Sequence, residues 1–213
     1  MSEQTVWIAR HGNRLDFVNP EWFNTAKRRY DPPLSEDGWI QAKELANRLK
    51  GESIQHIFSS PFLRTIQTAN CVAQALNLVI KLEAGLSEWL NPDWMSEVPE
   101  IHPQEFLGQQ YPRIDWSYQS LVIPQYPESE MAVNQRTALT VRKLIANFSA
   151  NILLIGHGAS VVGTANELME ENAVIQASLC CLVKLVCDNQ SWNLQLNADT
   201  SHLSQPQGVI RFQ

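Results

Sequence analysis

Two short apolar runs, each ending in a histidine beside a glycine, constrain this chain more than any other feature. Val6-Trp7-Ile8-Ala9 leads into Arg10-His11-Gly12, and Ile152-Leu153-Leu154-Ile155 leads into Gly156-His157-Gly158. Both runs read as buried strands. Parallel strands of an α/β sheet present ligands at their carboxyl ends, so two such turns on neighbouring strands bring both imidazoles into one crevice. The pattern predicts a sheet and a chemical site at its edge.

The rest of the chain supplies the layers. Strand-like and helix-like segments alternate, as expected for a sheet with crossover helices. After an irregular stretch over 13–33, Ser35 is placed to cap a helix stapled by Leu34 and Trp39, with Ala42, Leu45, Ala46 and Leu49 on its apolar face and Gly51 at its close. Ile54 to Ser59 reads as a second strand. Pro61 then opens a helix that buries Phe62, Ile66, Ala69, Ala73 and Leu76, and a short strand follows at 79–82. Between Leu86 and Pro127 lie 6 of the 11 prolines and 3 of the 7 tryptophans without sustained periodicity, which predicts an insertion folded over the end of the sheet. A helix returns from Glu128 to Phe148 through Met131, Ala138, Val141, Ile145 and Phe148, and another runs from about Ala159 to Met169. Leu179 to Cys187 and Trp192-Leu194-Leu196 read as a closing hairpin.

Composition narrows the function classes. The 213 residues and 44% hydrophobic content suffice for one continuous core, and a single domain over 1–213 is expected. A net charge of −6, with no block rich in lysine and arginine, argues against general affinity for nucleic acid or an anionic membrane. Met1-Ser2-Glu3-Gln4-Thr5 has neither the charged start nor the apolar stretch of a secretory signal, and no apolar run approaches the ~20 residues that cross a bilayer. Cys71, Cys180, Cys181 and Cys187 lack zinc-type pairing and read as thiols of a reducing compartment, so a cytoplasmic location is expected.

An Arg-His-Gly tripeptide occurs by chance in about one chain in forty of this length, so its weight comes from context. Arg14 follows it, and Ser59-Ser60-Pro61-Phe62-Leu63-Arg64 forms another strand-to-helix junction with Arg64 one turn in. A phosphoryl group suits this set. Guanidinium forks of Arg10 and Arg64 match its oxygens, and the helix after Gly158 adds positive partial charge. A neutral imidazole can attack phosphorus, and a phosphohistidine divides one hard displacement into two. Two arginines also disfavour a nearby imidazolium. The scheme needs no metal, and no cofactor is expected.

These motifs resemble the histidine phosphatase superfamily, also called the phosphoglycerate mutase-like fold. The resemblance rests on Arg10-His11-Gly12, on Ser59 to Arg64 with Gln67-Thr68-Ala69, on Leu86-Ser87-Glu88-Trp89, and on Ile155-Gly156-His157-Gly158. Arg14, Asp16, Asp31-Pro32-Pro33-Leu34-Ser35, Gly38, Gln41-Ala42 and Glu88-Trp89 make it most similar to the phosphatase domain of the suppressor of T-cell receptor signalling proteins and their relatives. The resemblance implies a three-layer α/β/α fold whose mostly parallel sheet has one antiparallel edge strand, with an inserted lid region at about 86–127. It implies a histidine acid or neutral phosphatase. His11 would be the phosphorylated nucleophile, and Arg10, Arg64 and His157, beside Gly158, would hold the phosphoryl oxygens. Arg14 would be a further substrate contact. Glu88 would protonate the leaving oxygen, which requires a carboxyl pKa raised by burial or by the incoming phosphate, with Trp89 as an apolar wall. The substrate would be a phosphorylated small molecule or a phosphoprotein, without nucleic-acid or membrane partners, and a homodimer stays open. A phosphoglycerate-type mutase and a noncatalytic phospho-ligand module are the alternatives.

Competing readings accompany several of these residues. Asn13 stands where many members carry glutamate, a position near the substrate. Glu97, Glu100 and Glu105 are rivals to Glu88, and Arg14 suits a surface ion pair as well as a substrate contact. Trp22, Trp94 and Trp116 would line a pocket for an aromatic leaving group or anchor their loops. Lys27-Arg28-Arg29 reads as a solvated run, and His56, His102 and His202 as polar turn residues.

Overall fold

The computed structural model describes residues 4–169, 173–189 and 191–205; the polar start Met1–Glu3 lies outside them. The elements are β1 (Gln4–Arg10), α1 (Leu15–Val18), α2 (Trp22–Thr25), α3 (Glu36–Leu49), β2 (His56–Ser59), α4 (Leu63–Leu76), β3 (Ile80–Leu82), a 3-10 turn (Ala84–Leu86), α5 (Gln104–Gln110), α6 (Glu130–Asn147), β4 (Ile152–Gly156), α7 (Gly158–Leu168), β5 (Leu182–Asp188) and β6 (Ser191–Asp199). They form one 6-stranded sheet in the order β3-β2-β4-β1-β5-β6. The first four strands in that order are parallel. β5 runs antiparallel to β1, and β6 covers its outer side. Among the described residues no helix is long and apolar enough to cross a membrane.

Strand alternation sorts the apolar side chains into two cores. Val6 and Ile8 of β1, with Ile152 and Leu154 of β4, pack on Val141 and Leu144 of α6 and Val161 and Ala165 of α7. Trp7 and Ala9, with Leu153 and Ile155, face Leu45 and Leu49 of α3 and Ala69 and Val72 of α4. A sheet covered on both faces needs unbroken apolar strands, and these strands supply them. The layers are therefore helix, sheet and helix, as the family resemblance implies.

Local chemistry fixes the helix starts. Ser35 accepts from Gly38 N at 3.2 Å and caps α3. The start of α4 departs from expectation: Pro61 precedes the helix, and the Asp31 carboxylate, from the loop before α3, accepts from Leu63 N at 2.6 Å. Gly12 and Gly38 meet backbone to backbone, and a Cβ at Gly12 would stand 2.5 Å from Gly38 O. Helix α3 can seat against the first histidine turn because both residues lack side chains.

Helix α6 departs from the sequence reading at Met131, while Val141 is buried and Ile145 and Phe148 pack on the core as expected. Met131, assigned to the apolar face, is 68% exposed, and the buried positions are Val133, Arg136, Thr137, Thr140, Val141 and Leu144. Polar residues can face inward here because each finds a partner. Thr137 and Thr140 donate to Val133 O and Arg136 O one turn back, and Arg136 donates to Gly85 O in the 3-10 turn. The 86–127 insertion lies over the end of the sheet. Leu107, Tyr111 and Ile114 pack on Leu63 and Ile66 of α4, while Leu90 and Met95 pack on Phe62. It also borders the sheet: Ile80 N donates to Arg113 O and Asp115 N to Ile80 O, each at 2.8 Å. Buried Glu83 ties it down, accepting from Tyr118 Oη at 2.6 Å and Leu121 N at 2.8 Å.

Candidate active site

β1 and β4 are adjacent and in register, with Arg10 opposite Gly156, and His11 N donates to Gly156 O at 3.0 Å. The two histidine turns are therefore one strand spacing apart. Their rings meet edge to face with centroids 5.2 Å apart, and both are fully buried. From the next strand over, α4 sends Arg64 across both rings: its Nε donates to His11 Nε2 at 3.3 Å, and its Nη2 lies 3.1 Å from His157 Nδ1. Arg10 approaches from β1, its Nη1 donating to Ala177 O at 2.7 Å.

The partners assign the tautomer of His11. Its Nδ1 lies 2.7 Å from Gly12 O, a group that accepts but cannot donate, so Nδ1 carries the proton and the Nε2 lone pair faces Arg64. Burial, then Arg64, His157 and Arg10, hold its pKa well below the ordinary 6.5. His157 is lowered to about 3, chiefly by burial, with Glu88 opposing and Arg64 adding to the shift. Both rings are neutral near pH 7. Arg64, brought down to about 10 by burial and Arg14, remains charged.

Glu88 joins the two rings and Arg64 at the cleft. Its Oε2 sits 3.5 Å from Arg64 Nη2 and 3.3 Å from His157 Nδ1. The cleft above is lined by Arg10, Arg14, Phe23, Arg29, Tyr30, Arg64, Glu88, Trp94, Met95 and Gly158. The acid role requires a Glu88 pKa raised by burial or by an incoming phosphate, and burial alone does not supply it. Burial pushes the carboxyl up, but His157, Arg64 and Arg10 outweigh it and hold it well below the usual carboxylate range. The wall residue also differs. Trp94 lines the cleft, while Trp89 stands behind it with ring centroids 5.1 Å apart and donates to Glu128 O.

The competing readings resolve as follows. Arg14 lines the cleft and is also paired with Asp16, Nε to Oδ1 at 3.0 Å. Asn13 turns away, its side chain donating to Asp37 at 2.6 Å and its N–H to Gln41 at 2.8 Å, which anchors α3. Glu97, Glu100 and Glu105 are exposed, and Glu100 pairs with Arg28 at 2.9 Å. Arg29 leaves that basic run to line the cleft, and Phe23 takes the place expected of Trp22. Trp116 packs near Gly108. His56 packs on Phe148, His102 stacks on Phe106, and His202 meets Cys180 O at 3.1 Å.

Sequence reasoning gave no role to Ser60, whose Oγ is 2.9 Å from His157 Nε2, nor to buried Asp31, 3.9 Å from Arg64 Nη1. Both lie inside quoted motifs, but no spacing rule says where they point. Burial raises Asp31 to about 6 against the opposing pull of Arg64.

His11, Glu88 and His157 offer ligand atoms within 4.8 Å of one another, a spacing that a divalent ion accepts. Two guanidinium groups share that space and oppose a cation. The donor set suits an oxyanion better, since Arg10 and Arg64 supply forks and α7 begins at Gly158 beside the cleft.

The sequence profile described as histidine phosphatase superfamily (branch 1) matches residues 6–200. The chain belongs to the histidine phosphatase superfamily. Among superfamily relatives, it is 31% identical over 182 residues to the transcription factor tau 55 kDa subunit of Saccharomyces cerevisiae, an alignment covering 79% of this chain and 42% of that protein. It is 25% identical over 202 residues to ubiquitin-associated and SH3 domain-containing protein B of Mus musculus, covering 75% and 31%. That protein represents the suppressor of T-cell receptor signalling group. The chain thus spans less than half the length of these relatives. The crystal structure of an ecdysone phosphate phosphatase from Bombyx mori in complex with tungstate superposes with a TM-score of 0.77 at 21% identity, covering 99% of this chain and 98% of that one. The shared fold is that of the superfamily. The motifs that carried the resemblance converge here from four separate segments: Arg10-His11, Ser60 to Arg64, Glu88 and His157-Gly158.

Proposed function

We propose that this protein is a phosphomonoesterase that works through a phosphohistidine on His11. The observation that supports this most strongly is the His11 ring, held by Nδ1–H on Gly12 O with an unprotonated Nε2 turned to the charged guanidinium of Arg64. In the first step the Nε2 lone pair forms a bond to phosphorus as the bond to the ester oxygen breaks. Arg10, Arg64 and His157 bind the three non-bridging oxygens, most strongly as charge builds in transit. Glu88 gives its proton to the departing oxygen, which leaves as the alcohol. Water then attacks phosphorus, Glu88 takes the water's proton, the N–P bond breaks, and phosphate departs.

The low pKa of Glu88 in the empty pocket fits this cycle. Its carboxylate lies against Arg64 and His157, the groups that a phosphoryl group needs. An entering ester displaces it from Arg64 and His157 and places negative charge beside it. Both changes raise its pKa, and it takes up a proton from solvent. The substrate itself thus arms the acid. Tungstate, present in the similar solved structure, is a tetrahedral oxyanion that suits such a pocket.

A phosphorylated small molecule or a phosphoprotein is the proposed substrate, and the free thiols Cys71, Cys180, Cys181 and Cys187 suit a reducing cytoplasm. The test is a phosphatase panel on purified protein with His11→Ala as control. An acid-labile, base-stable phosphoenzyme is expected from the wild type and not from the variant, and EDTA should leave turnover intact. Loss of activity on chelation, restored by zinc or magnesium, would replace this chemistry with a metal-dependent one.

A further inference from the structure

A general acid must be held to within roughly half an ångström of its target, and loops hold groups less tightly than helices or strands do. Glu88 sits on a loop, just past the 3-10 turn. What fixes it comes from the far side. Arg136 of α6 donates through Nη1 to Gly85 O at 2.7 Å and Ser87 O at 3.0 Å, and through Nη2 to Glu88 O at 3.0 Å. Its remaining donors grip Glu128, Nε to Oε1 at 2.5 Å and Nη2 to Oε2 at 2.8 Å. Glu128 completes the frame: its Oε2 accepts from Leu90 N at 3.1 Å, its N–H donates to Leu90 O at 2.9 Å, and its carbonyl accepts from Trp89 Nε1 at 2.9 Å. The backbone from Gly85 to Leu90 is thus held to one buried ion pair.

We infer that Arg136, fixed by Glu128, is the positioning residue for Glu88, setting where the acid stands rather than touching the substrate. The inference rests on the reading of Glu88 as the general acid. Arg136 and Glu128 are 6% and 4% exposed, and a buried ion pair contributes little net stability over apolar side chains of the same volume. Core packing therefore does not account for it, whereas three carbonyls of the acid's own loop converging on one guanidinium do. The loop is also pressed close to α6, since a Cβ on Gly85 would collide with the Thr140 side chain. A lysine cannot reproduce the fork, because a point charge does not span those carbonyls and a carboxylate together.

The experiment compares kcat/KM on an alkyl phosphate, whose leaving oxygen needs a proton, with that on p-nitrophenyl phosphate, whose leaving oxygen does not. Arg136→Lys should lose about ten- to a hundredfold on the alkyl ester and within about threefold on the nitrophenyl ester, the pattern of a misplaced acid. Glu128→Gln, which keeps the side chain's shape, carries the same expectation independently should Arg136→Lys fail to fold. In the Glu88→Gln background, Arg136→Lys should add little further loss on the alkyl ester, because its effect passes through the group already removed. Equal losses on both esters, or full additivity in the double variant, would overturn the inference and leave Arg136 as a folding residue. A Glu88→Gln variant without leaving-group dependence would instead overturn the acid reading itself.

Discussion

The two histidine turns are nearly the same sequence on adjacent strands, and they are not equivalent. His11 has one nitrogen satisfied by its own turn, at Gly12 O, and the other presented as a lone pair to a guanidinium. His157 has neither nitrogen to spare: Nε2 meets Ser60 Oγ, and Nδ1 is shared between Arg64 and Glu88. A ring held at one end can form a new bond, and a ring held at both ends can only orient one. The nucleophile is thus distinguished by the hydrogen bonds around it, not by the motif that announces it.

Exchanging the rings tests this most severely. His11→Ala should lose at least about 10⁴-fold in kcat on every ester and form no phosphoenzyme. His157→Ala should lose about 10²- to 10³-fold and still form it. A phosphoenzyme that survives in His11→Ala and vanishes in His157→Ala would invert the comparison. Arg64 touches both rings, and Arg64→Ala should cost about 2–4 kcal/mol of transition-state stabilisation, lowering kcat as well as raising KM. Arg64→Lys should not recover it, and a near-normal lysine variant would place Arg64 outside the reacting group's contacts.

The pH dependence is a milder test of the same pair. His11 is held well below 6.5 and His157 at about 3, so neither ring titrates as an ordinary imidazole in the folded protein. Once the ester's own ionisation is allowed for, kcat/KM should show no acid limb centred near 6.5; such a limb would mean an ordinary imidazole. In the unfolded chain both rings take up protons near 6.5, so the unfolded state binds more protons below that value. Stability should therefore fall as pH drops from 6.5 toward 3. Asp31, raised to about 6, has the opposite sign between 6 and its ordinary 3.8, while Glu88, held below the usual carboxylate range, shares the sign of the two rings. A Tm that stays flat over this range would contradict the depressed values. The smallest effect is expected of Ser60→Ala, which removes one hydrogen bond to His157 worth about 0.5–1.5 kcal/mol. It should slow turnover by about two- to tenfold, with no change in phosphoenzyme chemistry.

The parts of the site that lie on regular strands and helices could be read from the residues. Apolar runs place His11 and His157 at strand ends, because period is a local property; Arg64 lies in the expected helix, but as its second residue rather than one turn in, since α4 starts at Leu63, past Pro61. What failed depended on long-range partners. Met131 was assigned inward because it is apolar, and it went out because Arg136, Thr137 and Thr140 found acceptors inside. Arg136 looked like any charged residue on a long helix, and its three carbonyl partners lie some fifty positions earlier in the chain. The Glu88 balance is long-range for the same reason: its requirement for burial or an incoming phosphate is readable from the chemistry, but the opposing pull of His157, Arg64 and Arg10 is not.

The meeting of Gly12 and Gly38 changes what the Arg-His-Gly signature means. Its glycine is there for a helix that follows later in the chain, and a Cβ on either residue drives into the backbone of the other turn, at Gly38 O or at Asn13 O. The signature is in effect a four-position constraint, with its last letter hidden inside α3. Across related chains these two positions should be inherited as a unit, and a chain that keeps Arg-His-Gly but carries a bulkier residue at the α3 position should have shifted that helix, even where every residue of its phosphate pocket is in place.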